Sequence, residues 1–183
     1  MIVETIFSTL DQKGVPDFAP MGIVWGEESI TVRPYRSSRT YRNLLSSGYG
    51  VANLSDDVLA YVQCGLLHEI LPNFPAVSVP GVVFQRTCSW LELTVTSEGG
   101  SKERAEFLCR ILHKGWQKDF LGFCRAGNAV IEAAILATRL DFCDPKELFE
   151  DLNHYMKIVE KTGGETEEQA IHMVYDYIRK REG

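Results

Sequence analysis

The sequence is short of most features that announce a specialised chemistry. No apolar run approaches the roughly 20 residues needed to span a bilayer, so no transmembrane helix is expected. No basic segment followed by an apolar stretch opens the chain, and so no signal peptide is expected. There is no CxxC pair, HxxxH or HExxH: the cysteines fall at 64, 88, 109, 124 and 143, and the histidines at 68, 113, 154 and 172. That scatter argues against a zinc site or a disulfide framework and fits reduced thiols in a cytoplasmic protein. No metal is expected. Positive charge is in deficit, 19 Lys and Arg against 25 Asp and Glu for a net charge of -6. A general nucleic-acid-binding face, which must be basic, is thereby argued against.

What is present is an ordinary globular composition, 45% hydrophobic and 24% charged over 183 residues, enough for one full core with a small appendage. The first third reads as short strands. Residues 3–10 are rich in β-branched side chains, 11–14 (Asp-Gln-Lys-Gly) signal a turn, 18–25 resume an apolar run, 26–29 turn again and 30–34 return. Such a meander is that of a small antiparallel barrel or sandwich. Gly22 inside the second run marks either a bulge or a close approach of backbone to something else.

Against the acidic background, residues 33–43 gather Arg33, Arg36, Arg39, Arg42, Ser37, Ser38, Thr40 and Asn43 into one segment. Guanidinium forks match phosphate oxygens, and hydroxyl and backbone N–H groups can complete the coordination. The segment reads as a phosphate clamp; a solvated basic loop is the alternative. Residues 40–47 read as a short helix, stopped by Ser46, Ser47 and Gly48, which puts Ser38 or Arg39 at its N-cap, where the dipole favours an anion. Asn43, one turn in, would donate to that anion or to the chain beneath it. Arg36 and Arg42 are assigned to solvent or to a subunit contact, because one phosphate cannot engage four arginines.

Residues 49–54 read as a strand and 58–71 as a buried helix, with Asp56 and Asp57 as a cap in preference to a cation site. Residues 71–81 carry three prolines and either cover a ligand or cross a barrel end. Residues 89–97 alternate, with Trp90, Glu92, Thr94 and Thr96 on one face and Leu91, Leu93 and Val95 on the core side. Trp90 on the less apolar side meets a partner subunit or a flat ligand, or is a surface tryptophan. From Ser101 the chain is expected to be helical: 102–113 on the spacing of Ala105, Leu108, Ile111 and Leu112, then a helix capped by Asn128 and running to Leu140. Glu132 and Arg139 share a face of that helix, with an ion pair as the default reading. Asp144, Pro145 and Glu147 open another helix, and a capping box at Thr166 opens the last.

Taken together, Glu4-Thr5, Ala19-Pro20-Met21-Gly22-Ile23, Arg33-Pro34-Tyr35, Thr40-Tyr41-Arg42-Asn43-Leu44 and Val51-Ala52-Asn53 resemble the FMN-binding split-barrel superfamily of flavin reductases, and within it the largely archaeal DUF447 family. The resemblance implies an α+β, mainly β fold: an antiparallel split β-barrel over residues 1–125 with a C-terminal helical extension over 126–183. It also implies FMN as cofactor, bound in a groove between the subunits of a homodimer. In the small FMN-binding proteins of that superfamily the strand before the basic loop lies along the isoalloxazine ring, which maps onto Met21, Gly22, Ile23 and Val24. The phosphate contacts map onto Arg39, Thr40 and Asn43, with Arg33, Tyr35 and Ser38 on the approach. No residue matches a catalytic acid or a substrate motif of the reductases, so the catalytic residues and the substrate stay unassigned. The implied function is a flavin-dependent oxidoreductase or electron carrier; the alternative is a non-enzymatic module binding another phosphorylated ligand.

Overall fold

The computed structural model describes residues 1–27, 29–140 and 144–182; Glu28 of the expected turn at 26–29 and Cys143 of the expected reduced thiols lie outside the described residues. The chain forms two compact units, Met1–Ser55 with Ile70–Phe120, and Asp56–Glu69 with Leu121–Gly183.

The first unit is a closed antiparallel barrel. In chain order its strands are β1 (Ile2–Leu10), β2 (Pro16–Trp25), β3 (Ser29–Val32), β4 (Tyr49–Leu54), β7 (Ser89–Gly100) and β8 (Ala105–Trp116), hydrogen-bonded in the order β1-β2-β3-β8-β7-β4. Alternation drives it. Phe7, Ile23, Ile30, Val32, Ala52, Leu91, Leu93, Phe107 and Cys109 point inward and form one core, while their neighbours in sequence face out. Helix α1 (Arg39–Ser47) packs at this core through Leu44, with Tyr41 tilted against Phe107 at 5.8 Å between ring centroids. Gly48 ends it in the left-handed region, φ 73°, and returns its N–H to Leu44 O.

The helix expected over 102–113 is instead strand β8. Leu108 and Leu112, read as its apolar stripe, are 40% and 41% exposed, whereas Ala105, Phe107 and Cys109 at period two are buried. A three-to-four spacing of leucines thus coexisted with a strand alternation, and pairing with β3 and β7 decided the outcome. Gly22 is no bulge either, because the β1–β2 ladder runs unbroken through Glu4 opposite Gly22.

Part of the barrel's outer surface is covered. The hairpin of β5 (Asn73–Pro75) and β6 (Val82–Phe84) lies over β1, β4 and β7, burying Val51, Val79, Val83 and Trp90 in a second apolar cluster. Residues 71–81 therefore roof a strand face, and Trp90 is beneath them, only 8% exposed, with Phe74 edge-on at 5.7 Å. Trp90 is thus an interior residue of this unit and not the surface tryptophan considered above. Glu92, fully buried beside it, accepts hydrogen bonds from Trp90 Nε1 (3.0 Å) and from the backbone N–H groups of Val77 (2.9 Å) and Ser78.

In the second unit, α2 (Val58–Leu66) packs with α3 (Arg125–Ala137), α4 (Pro145–Thr162) and α5 (Glu165–Glu182) through Val58, Val62, Leu66, Val130, Ala133, Leu148, Leu152, Val159, Val174 and Ile178. Asp57 caps α2 by accepting from Ala60 N–H, and Asp144 caps α4 by accepting from Lys146 and Glu147 N–H. Two expected caps move. Helix α3 starts at Arg125, putting Asn128 inside it with its N–H on Cys124 O. Helix α5 starts at Glu165, where Glu167 reaches back to Gly164 N–H at 2.9 Å. Glu132 and Arg139 are both exposed, and Arg139 lies beyond the end of α3.

Gly115 faces the Trp90 ring so closely that a Cβ there would stand 2.0 Å from Cζ2. Gly115→Ala is expected to destabilise the barrel by about 1–3 kcal/mol, the usual cost of overpacking, read as a lower denaturant midpoint.

Candidate functional site

The basic segment connects β3 to α1. Ser38 is the N-cap, and its Oγ accepts from Tyr41 N–H at 3.1 Å. A helix offers no internal acceptor to its first N–H groups, so those of Arg39 and Thr40 are directed out of the helix start, at the positive end of its dipole. Arg39 sits there, its side chain 60% exposed and only loosely paired with Asp17 at 3.4 Å. An exposed pair of that length contributes little to stability. Thr40 and Asn43 turn inward, 3% and 7% exposed, and Asn43 Nδ2 donates to Thr9 Oγ1 at 2.9 Å, so its amide serves the chain beneath the helix.

The other members of the segment have partners of their own. Arg33 Nε donates to Glu106 Oε2 at 2.8 Å on the outer face of the barrel. Tyr35 is 53% exposed with the Arg104 guanidinium 3.9 Å above its ring. Arg36 donates to Glu98, Tyr41, Gly99 and Ser101, and Arg42 donates to Ser37 O. Neither Arg36 nor Arg42 is simply solvated.

Along β2, Ile23 is buried in the barrel core and Met21 packs partly against it. Gly22 and Val24 therefore present the outer face. Their neighbours there are Ile2 and Glu4 on β1, Thr31 on β3 and, opposite Thr31, Leu108 on β8. A Cβ on Gly22 would meet Ile2 Cγ2 at 2.9 Å and Glu4 Oε1 at 3.0 Å, so the glycine makes room for these two side-chain ends to close over the strand, and it is itself half-buried. Following β2 from Gly22 towards its start leads to Asp17, the partner of Arg39, five residues or about 16 Å away at strand rise. One strand thus carries the ring-type positions Gly22 and Val24 and the partner of Arg39, but the odd spacing puts Asp17 on the opposite face from Gly22 and Val24, the side shared with Met21 and Ile23. Met21 and Ile23 offer the outer face only their backbone.

Reasoning from the sequence missed Asp17, Thr31, Glu106 and Leu108 as neighbours of the site. The signal was available in the alternation of Ala105, Phe107 and Cys109, which makes Glu106 and Leu108 outward residues.

Among the described residues no group of three or more His, Cys, Asp and Glu is placed to hold a metal ion. Burial pushes the Cys109 thiol up to about 12, which removes it as a nucleophile.

A closed antiparallel barrel of this strand order, with a helix at the β3–β4 connection, is the split barrel of the flavin-reductase-like class. The chain belongs to the DUF447 family: models described as the N-terminal domain and the remainder of a protein of unknown function (DUF447) match residues 3–118 and 124–176. Among solved structures it is similar to an FMN-bound protein of that family from Methanosarcina mazei, at 24% identity over 96% of this chain and 94% of that one, with a TM-score of 0.83. It is also similar to flavoredoxin from Methanosarcina acetivorans, at 15% identity over 66% of this chain and 72% of that one, TM-score 0.56. An FMN-binding protein from Thermus thermophilus with bound p-hydroxybenzaldehyde matches at 14% identity over 63% of this chain and 71% of that one, TM-score 0.54. The resemblance read from the sequence and the fold observed thus agree.

A second buried titratable group, Glu92, lies under the roof. For Glu92, burial alone would raise the carboxyl, but the Val77 N–H, the Trp90 indole, the Ser78 N–H and the charge of His113 outweigh it and hold the group below the usual carboxylate range. A depressed folded value means stability that is fully present above the unfolded pKa and lost as pH falls through the folded one. Glu92→Gln is expected to cost about 1–3 kcal/mol at pH 7 and to flatten the acid limb of the stability profile below about pH 4.5, read by denaturant titrations across pH 3–7.

Proposed function

We propose that the protein is an FMN-binding flavoprotein working as a homodimer, with the flavin along the outer face of β2 and its phosphate at the start of α1. The observation that carries this is that β2 bears the side-chain-free position Gly22 and, nearer its start, Asp17, whose partner Arg39 stands exposed at the α1 N-terminus. The anion-favouring N–H groups lie beside that arginine. The residues present fit the cofactor. Arg39 and the N–H groups of Arg39 and Thr40 would hold the phosphate, Ser38 keeps those groups oriented, and the backbone of 21–24 would face the ring edge. The similarity to an FMN-bound protein of the same family over nearly the whole chain supports the same reading.

Bound FMN would supply hydride or electron transfer, and the protein's part is to orient it and exclude water. Thr40 and Asn43 anchor α1 from below, so the helix start is fixed against the barrel independently of Arg39. Arg39 has the simplest exchange to make, from a long contact with Asp17 to a phosphate. The outer strip keeps Ile2, Leu108 and Leu112 exposed at 66%, 40% and 41%, more apolar surface than a solvent-facing strand surface needs. A second copy covering these residues would also shield one side of the ring. The similarity to an FMN-bound protein of the same family is what favours a flavin over another phosphorylated ligand.

Saturating FMN, at about a hundredfold excess over Kd, is expected to stabilise the protein by about 2.7 kcal/mol, a rise of roughly 5–10 °C in Tm for a chain of this size. Arg39→Ala is expected to weaken FMN by about tenfold, the worth of one charge-assisted bond. A melting temperature indifferent to FMN overturns the proposal. Leu108→Asp is expected to shift the protein from dimer to monomer in light scattering while Tm changes by no more than a few degrees.

A further inference from the structure

We infer that Arg36 is a positioning residue for the anion corner: it touches no ligand, but it fixes the first turn of α1 by tying Tyr41 to the tip of the β7–β8 hairpin. The inference rests on the flavin reading above. Four of the five guanidinium hydrogens have acceptors on two separate elements. Nε donates to Ser101 O at 2.8 Å, one terminal nitrogen donates to Glu98 Oε1 at 2.7 Å and to Tyr41 Oη at 2.8 Å, and the other donates to Gly99 O at 3.1 Å. The guanidinium carbon also lies 5.2 Å from the Tyr41 ring centroid, within cation–π range.

Tyr41 is therefore held at both ends. Its N–H is on Ser38 Oγ at 3.1 Å, and its hydroxyl accepts from Arg36. The hairpin tip is joined to the same segment through its backbone, Arg36 N–H to Glu103 O at 2.9 Å and Ala105 N–H to Pro34 O at 3.0 Å. Stacking of Arg104 on Tyr35 adds a third tie. Arg42, by contrast, donates to Ser37 O at 2.9 Å, within its own segment. The two arginines assigned alike from the sequence are thus different parts. A guanidinium is required at Arg36, since four acceptors spread over two elements exceed the three donors of an ammonium.

The test compares FMN with riboflavin, which has the same ring and no phosphate, by titrating each into apoprotein at a temperature well below Tm. Wild type is titrated first and is expected to prefer FMN. Arg36→Ala and Arg36→Lys are both expected to weaken FMN by about tenfold, the scale of a lost charge-assisted contact, with riboflavin affinity unchanged. Arg42→Ala is expected to change neither. Glu98→Gln, which retains the guanidinium, is expected to lower FMN affinity by about threefold, in the range of one weakened hydrogen bond, and carries the test if the Arg36 variants do not fold. An FMN-to-riboflavin ratio that stays at the wild-type value in the Arg36 and Glu98 variants overturns the inference, whether both affinities fall together or neither does. Wild type that binds both flavins equally overturns it as well, by removing the anion corner. Wild type that binds no flavin overturns the flavin reading itself, an outcome seen before any variant is tested.

Discussion

A buried amide closes the barrel. Asn53, fully buried, donates through Nδ2 to Ile6 O (2.9 Å) and to Ser8 Oγ (3.2 Å), and its Oδ1 accepts from Phe84 N–H (2.8 Å). The seam it serves is short, with only Ile6–Asn53, Phe7–Ala52 and Ser8–Val51 paired between β1 and β4. Ser8 extends the same network by donating to Val82 O at 2.6 Å. One side chain therefore links the first strand, the last strand of the ring and the roofing hairpin. Losing it would leave a carbonyl and an N–H buried without partners in a place water does not reach, and such groups cost more than a satisfied hydrogen bond gains.

Closure there has a consequence on the opposite side. The β5–β6 hairpin is committed to the outer face of β1, β4 and β7, where Trp90, Glu92, Asn53 and Ser8 all find their partners. Among the described residues of this unit, no hairpin lies over β2, β3 and β8, whose outward residues include Gly22, Val24, Thr31 and Leu108. A barrel has two ways to treat an apolar outer surface, cover it with its own chain or leave it for a partner. This barrel does the first over β1, β4 and β7; in the homodimer proposed above, a second copy would do the covering over β2, β3 and β8.

The sequence was informative where a rule is local. The Ser38 cap, the Asp57 and Asp144 caps, the strand at Tyr49–Leu54 and the glycine after α1 follow from the chemistry of a few adjacent residues. It misled where the deciding partner is distant. Residues 105–116 satisfy helical and strand spacing at once, and only the neighbouring β3 and β7 select the strand. Trp90 and Glu92 look like a wet face because their roof, Val77 to Val83, comes from a proline-rich loop with no strong pattern of its own. Residues 56–69 sit between barrel strands in the chain yet belong to the helical unit, a placement set by the apolar faces of α3 and α5 and not by anything in their own composition. The proposed anion corner, like the caps, rests on consecutive residues, Ser38, Arg39 and Thr40.

The division of labour among the four arginines follows from charge balance. In a chain with six more acidic than basic groups, each guanidinium near the surface finds a carboxylate or carbonyl, and the strength of that match decides what the arginine is free to do. Arg36 has acceptors for four of its five hydrogens and its pKa is raised, first by the hydrogen bond to Glu98, so it acts as a permanent cationic strut. Arg33 has one well-formed pair with Glu106 at 2.8 Å. Arg39 has the long contact and the largest exposure of the three paired arginines, 60% against 49% and 31%. Exchange of partners is easiest where the existing one holds least, and the helix dipole favours an anion at that position. An acidic protein can thus keep a single arginine available for an anion by giving the others better partners within the fold.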